Sequence, residues 1–164
     1  MVEQSSRVSS RESDSMAKYP IGELRGAYEQ FSRVSDECAA SADYVAFADL
    51  FTEDCTYIEH VFGEMRSREA VREWIVPLMK QFPNDQMTYT HDWVLFDDEN
   101  GRVIFCARTH MPDLGDGRHY STTNWSMIDY AGEGLFSREE DIYNPAHFGT
   151  LLTDWQSAKD SAGK

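Results

Sequence analysis

The stretch DQMTYTHDWVLFDDENGRVIFCARTHM, residues 85–111, decides how this chain folds. From Asp85 onward the side-chain pattern has a period of two, and β-branched and aromatic residues concentrate as they do in strands. Two strands are predicted here, 86–96 and 102–111, joined by the turn cluster Asp97-Asp98-Glu99-Asn100-Gly101. The pattern returns at 118–130 and 135–144, with Asp113-Leu114-Gly115-Asp116-Gly117 and Ala131-Gly132-Glu133-Gly134 as the connections. Every connection suits a hairpin, so four long antiparallel strands are expected. Strands of that length twist and coil, and a coiled sheet closed over helices leaves a pocket at its open end.

The helices lie on either side of this block. Ile21, Leu24, Tyr28, Phe31, Ser35 and Cys38 recur at helical spacing. A second helical stripe, Tyr44, Phe47, Ala48 and Phe51, ends near Glu53-Asp54. CTYIEHVF (55–62) reads as a strand closed by Gly63. Ser67 is an N-cap for a helix burying Ala70, Val71, Trp74, Ile75 and Leu78, which Pro77 should kink or restart. Asn144-Pro145 supplies an N-cap and a first-position proline for an amphipathic helix on Phe148, Leu151, Leu152 and Trp155. The class is α+β. Residues 19–158 read as one domain, 1–18 as a disordered Ser-, Arg- and Glu-rich lead-in without an apolar signal core, and 159–164 as a flexible end.

Charge narrows the function. The 164 residues hold 15 Lys+Arg against 29 Asp+Glu, a net −14, which repels nucleic-acid phosphates and anionic membrane surfaces. No apolar run approaches the ~20 residues of a membrane span, so no insertion is expected. Cys38, Cys55 and Cys106 form no CxxC pair and read as reduced thiols of a cytoplasmic protein. With no HExxH, no Gly-rich phosphate loop and no GxSxG, neither a metal nor a cofactor is expected.

Two strand positions carry possible chemistry on pattern alone. Alternation puts Tyr89, His91, Trp93 and Leu95 on one mostly apolar face. If that face lines the pocket, His91 is an acid–base group in a low-dielectric site; otherwise it is a core histidine or an outer-face contact. Asn124 could hydrogen-bond a substrate carbonyl or only a neighbouring strand. Beside it, Trp125 and Met127, or alternatively Tyr120, Ile128 and Tyr130, would form an apolar outer face large enough to predict a homodimer.

DYVAFADLFTEDCTYIEHVFGEMRSREAVREW (43–74) and GLFSREEDIYNPAHF (134–148) resemble the SnoaL-like, nuclear transport factor 2-like superfamily over roughly residues 21–155. The resemblance implies a cone-shaped α+β barrel with a long curled antiparallel sheet around N-terminal helices. It also brings in the chemistry of ketosteroid isomerases, polyketide cyclases, scytalone and bile-acid dehydratases, and limonene-epoxide hydrolases.

Several residues acquire roles from it. His91 matches the dehydratases' catalytic histidine, and Asp36 matches the aspartate that orients it, with Phe31 where they carry a tyrosine. Phe31 and Trp93 would line the substrate. On the 55–62 strand the isomerase proton-shuttle slot falls on His60 or on Glu59, depending on register. The apolar Ile58 and Phe62 favour the His60 side as buried, and Tyr57 is an oxyanion donor in the other register. Asp141 resembles the last-strand aspartate of the epoxide hydrolases, with Arg108 nearby but His110 in place of the second aspartate. Glu139 and Glu140 read as solvated. The implied function is a cofactor-independent lyase or isomerase acting on a hydrophobic cyclic molecule such as a steroid or polyketide. A non-catalytic ligand-binding protein and an epoxide hydrolase are the alternatives.

Overall fold

The computed structural model describes residues 17–163, so the lead-in read from 1–18 lies almost wholly outside the described residues. The described residues form four α-helices and six strands: α1 (Ile21–Ser41), α2 (Val45–Ala48), β1 (Phe51–Glu59), β2 (Gly63–Arg66), α3 (Arg68–Leu78), β3 (Thr88–Asp97), β4 (Arg102–His110), β5 (Ser121–Gly132), β6 (Leu135–Ile142) and α4 (Pro145–Ser161). Helix α4 runs three residues past 158.

The strands make one sheet in the order β2-β1-β6-β5-β4-β3. The pairs β3–β4, β4–β5 and β5–β6 are the antiparallel hairpins expected from the period-two block. The sheet is nevertheless mixed, because β1 pairs with β6 in parallel. The connection between them, residues 60–134, far exceeds the roughly dozen residues that a parallel pair requires.

Both helix caps follow from the residues present. The Ser67 hydroxyl accepts from the Ala70 amide at 3.1 Å, and the Asn144 side chain accepts from the Ala146 amide at 3.1 Å. Pro77 is tolerated because α3 ends one residue later, leaving little helix to break.

The second helical stripe is cut short. Helix α2 has four residues, and Phe51 opens β1. Phe51 is β-favouring and fully buried, and its carbonyl receives the Arg68 guanidinium at 2.6 Å. Gly63 begins the short strand β2 rather than ending strand structure.

Helix α1 packs on the inner face of the sheet. Phe31 is its pivot, with ring centroids 5.6, 5.7 and 5.4 Å from Phe47, Phe105 and Phe136. Aromatic pairs at such spacing add about 0.5–1.5 kcal/mol each beyond burial. A second apolar cluster, Met87, Met111, Leu114, Tyr120, Leu151 and Trp155, fixes α4 across the end of the sheet. Cys38, Cys55 and Cys106 are buried free thiols. Among the described residues no helix is long and apolar enough to cross a membrane.

Candidate active site

Between α1, α3, α4 and the inner face of the sheet lies a cavity of about 450 Å³. Most of its wall is apolar, as in small-molecule sites generally. The polar atoms collect on the strands.

Asp141 is the centre of the larger polar cluster. It comes from β6, and its carboxylate accepts hydrogen bonds from the Tyr57 phenol at 2.7 Å, the Ser126 hydroxyl at 2.5 Å and the Asn124 amide at 3.4 Å. Burial lifts the Asp141 carboxyl above its ordinary range, and the Ser126 and Tyr57 bonds pull it back. Glu139 lies two residues earlier on the same face of β6, also in the cavity wall. It is 3% exposed, and its Oε2 is sealed from solvent with no hydrogen-bond partner. Burial, reinforced by the nearby Asp141 charge, holds the Glu139 carboxyl well above the usual range. The expectation of a solvated Glu139 is corrected by strand alternation: Arg138 and Glu140 face outward and pair with each other, which turns Glu139 and Asp141 inward.

The register of β1 is resolved in favour of Tyr57 and Glu59. Both are buried and line the cavity, whereas His60 is exposed and pairs outside with Glu140 at 3.2 Å. The apolar Ile58 and Phe62 do not mark the buried side, because Phe62 lies in the turn beyond the strand and is 55% exposed at the cavity mouth. Glu59 has a clear structural duty. Its Oε2 accepts from the Val61 and Phe62 amides at 2.6 Å each, and its Oε1 accepts from the Tyr143 hydroxyl.

His91 lines the cavity from β3. The Tyr28 hydroxyl lies 2.6 Å from its Nδ1, and the Ser32 hydroxyl lies at 3.4 Å. Burial holds the imidazole below its ordinary value, with Asp36 opposing. A Tyr28 phenol that burial keeps protonated donates to Nδ1, so the neutral ring carries its proton on Nε2. Asp36 sits exposed at the cavity rim and makes no hydrogen bond to His91; Tyr28 is the group that orients the ring. Phe31 and Asn124 line the cavity as expected.

Trp93 and Arg108 do not. The β3–β4 register shifts between His91 and Trp93, a bulge at Asp92 that moves later residues to the opposite face. Val94 and Phe96 consequently pack on the core, while Trp93 and Leu95 are 38% and 61% exposed outside. Arg108 also faces outward, where its guanidinium grips the Asp92 carboxylate at 2.6 and 3.0 Å. The inward neighbours of Arg108 are Ala107 and Thr109. Ala107 pairs with both His91 and Asn124, and its small side chain leaves room between them. By strand spacing these two residues stand about 10 Å apart.

Tyr89 was grouped with His91 by alternation, and it does line the cavity; burial and the Asp141 charge raise its phenol to about 12. Ser126 and Tyr28 carry no functional signal in the sequence, because a lone hydroxyl in a strand or helix has no pattern that marks it. No group of His, Cys, Asp and Glu among the described residues could hold a metal ion.

A curled mixed sheet wrapped on helices, with an apolar cavity and acidic groups at its floor, defines a class of cone-shaped α+β proteins. The chain belongs to the SnoaL-like domain family, whose model matches residues 31–138. No curated protein matches it. Solved structures share the fold at low identity. A nuclear transport factor 2-like protein of Anabaena variabilis superposes with a TM-score of 0.61 at 17% identity, over 79% of this chain and 95% of that one. A Mycobacterium tuberculosis epoxide hydrolase of the limonene-epoxide hydrolase-like type gives 0.62 at 11% identity, over 84% and 94%. A polyketide cyclase candidate of Xanthomonas campestris gives 0.55 at 19% identity, over 76% and 96%.

Proposed function

We propose that this protein is a cofactor-independent lyase or isomerase that moves a proton on a hydrophobic cyclic molecule of steroid or polyketide type. The observation that carries the reading is the Asp141 carboxylate, set in an apolar cavity and held by Tyr57, Ser126 and Asn124. Three donors favour its ionised form, while burial keeps it basic enough to accept a proton from carbon. His91 serves the other end of the substrate. With Nδ1 engaged by Tyr28, its Nε2–H is free to polarise a carbonyl as a neutral donor, and the proton taken by Asp141 is returned at a second carbon. The convergence of polar groups at the floor favours this over a purely ligand-holding role. The outward turn of Arg108 argues against epoxide hydrolysis, since among the described residues no arginine lines the cavity to assist ring opening.

The test is solvent deuterium exchange into cyclic ketones and enones, followed by mass spectrometry. The protein should catalyse exchange above the buffer rate, and Asp141→Asn should lower it by ~10²–10⁴, the range for a lost general base. Equal exchange by both proteins would end the assignment.

A further inference from the structure

We propose that the floor of this cavity recognises a basic nitrogen, so that its ligand is a hydrophobic molecule carrying an amine whose ammonium sits against Glu139 and Asp141. The inference shares its cavity with the proton-transfer reading but does not depend on turnover.

The wall has a one-sided charge inventory. Among the described residues Asp36, Glu59, Glu139 and Asp141 line the cavity, and no lysine or arginine does. Among the described lining residues His91 is the one other group that could be cationic, and burial favours its neutral form. A carboxylate or phosphate on a ligand would meet like charges in a desolvated site, an arrangement that costs several kcal/mol.

The carboxyls differ in how well the fold satisfies them. Glu59 is saturated by two backbone amides and the Tyr143 hydroxyl. Asp141 has its three donors, all neutral. Glu139 is the least satisfied, because it has only the Tyr57 phenol that Asp141 shares, and its buried Oε2 has no partner. The nearest guanidinium in sequence, Arg138, faces away and is committed to Glu140. Buried carboxyls are nearly always fully hydrogen-bonded or ion-paired, so one in a cavity wall with a single shared neutral donor is a place where a cationic donor from outside the chain would be stabilised.

The surroundings suit a cation. Tyr57, Tyr89 and Tyr143 line the same cavity, with the Tyr57 phenol bonded to Asp141 and the Tyr143 phenol to Glu59. Aromatic faces beside carboxylates bind alkylammonium groups through cation–π attraction as well as ion pairing. On binding, the ammonium donates an N–H to the Glu139 carboxylate; where Glu139 carries a proton beforehand, that O–H bond breaks, the proton passes to water, and no other covalent bond changes.

The experiment uses three probes with one hydrophobic cage and different head groups: 1-adamantylamine, 1-adamantanol and 1-adamantanecarboxylate, titrated calorimetrically into the full chain at neutral pH. The amine should bind about tenfold or more tightly than the alcohol, and the carboxylate should not bind measurably. Glu139→Gln, checked for folding by circular dichroism, should erase most of that preference while leaving the alcohol unchanged. The proposal is overturned if the alcohol matches the amine, if the carboxylate binds comparably, if none of the three binds, or if a folded Gln variant keeps the full preference. Amine binding without any ketone exchange would remove the proton-transfer reading alone. Ketone exchange without amine binding would remove this one alone.

Discussion

Tyr57 and Asp141 stand 84 residues apart in the chain and are joined by a 2.7 Å hydrogen bond across the parallel β1–β6 pair. Their strands carry them in a fixed register, with Tyr57 opposite Glu139 and Glu59 opposite Asp141. The phenol reaches diagonally to donate to the carboxylate that also receives Ser126 and Asn124, while the Glu139 carboxyl directly across senses the same phenol.

Removing that phenol should change the pH profile more than the fold. The Tyr57 donor holds the Asp141 carboxyl down against its burial. In Tyr57→Phe the carboxyl titrates at higher pH, so the acid limb of the exchange rate should move upward while the rate on the plateau falls less than in Asp141→Asn. A profile that keeps the wild-type acid limb would show that Asp141 does not govern it.

At the other end of the cavity, His91→Ala should lower the catalysed rate by ~10²–10⁴ with the fold retained. Tyr28→Phe should lower it less, because the ring stays but loses the hydroxyl that holds Nδ1. Asp36→Asn should have the smallest effect, since Asp36 acts on the imidazole only through space from the rim. Rates of the three variants, compared on one substrate, check this ranking.

Glu139→Gln should stabilise the protein at neutral pH. Folded Glu139 keeps its proton at pH values where the unfolded side chain has lost it. The folded state thus binds more protons than the unfolded one, and stability falls as pH rises from the ordinary carboxylate range toward the raised folded value. A neutral amide removes that cost, so the gain should be present at pH 7 and largely absent at pH 4. Thermal melts at the two pH values measure it, each kcal/mol being worth about 2–4 °C in a chain of this size.

The outer face of the sheet should pair two copies. Trp93, Leu95, Trp125 and Ile142 are 38%, 61%, 52% and 49% exposed, and the two indole rings meet edge to face at 5.3 Å. An apolar surface of that kind calls for a cover, and we expect a homodimer through it. Light scattering at micromolar concentration should give twice the chain mass, and Trp125→Glu should give the monomer mass. A wild-type monomer would refute the assembly.

The amino-acid sequence determined what depends on neighbours along the chain: the α+β class, the three hairpins after Asp85, and the caps at Ser67 and Asn144. Periodicity and capping are local, and the structure reproduces them. It also pointed to His91, a titratable group visible on an alternating strand, whereas Asp141 was marked only by the family resemblance.

Which face of each strand meets the cavity was decided only in three dimensions. A single extra residue at Asp92 sends Trp93 and Leu95 outside, and a turn starting at His60 leaves Glu59 as the last inward residue of β1. Side chains alternate with a period of two, so one residue of shift exchanges inside for outside. The parallel β1–β6 pair was equally beyond local reading. No sequence period distinguishes a parallel partner from an antiparallel one when the partner lies some eighty residues away, yet that pair brings Tyr57 to Asp141 and leaves Glu139 buried beside them.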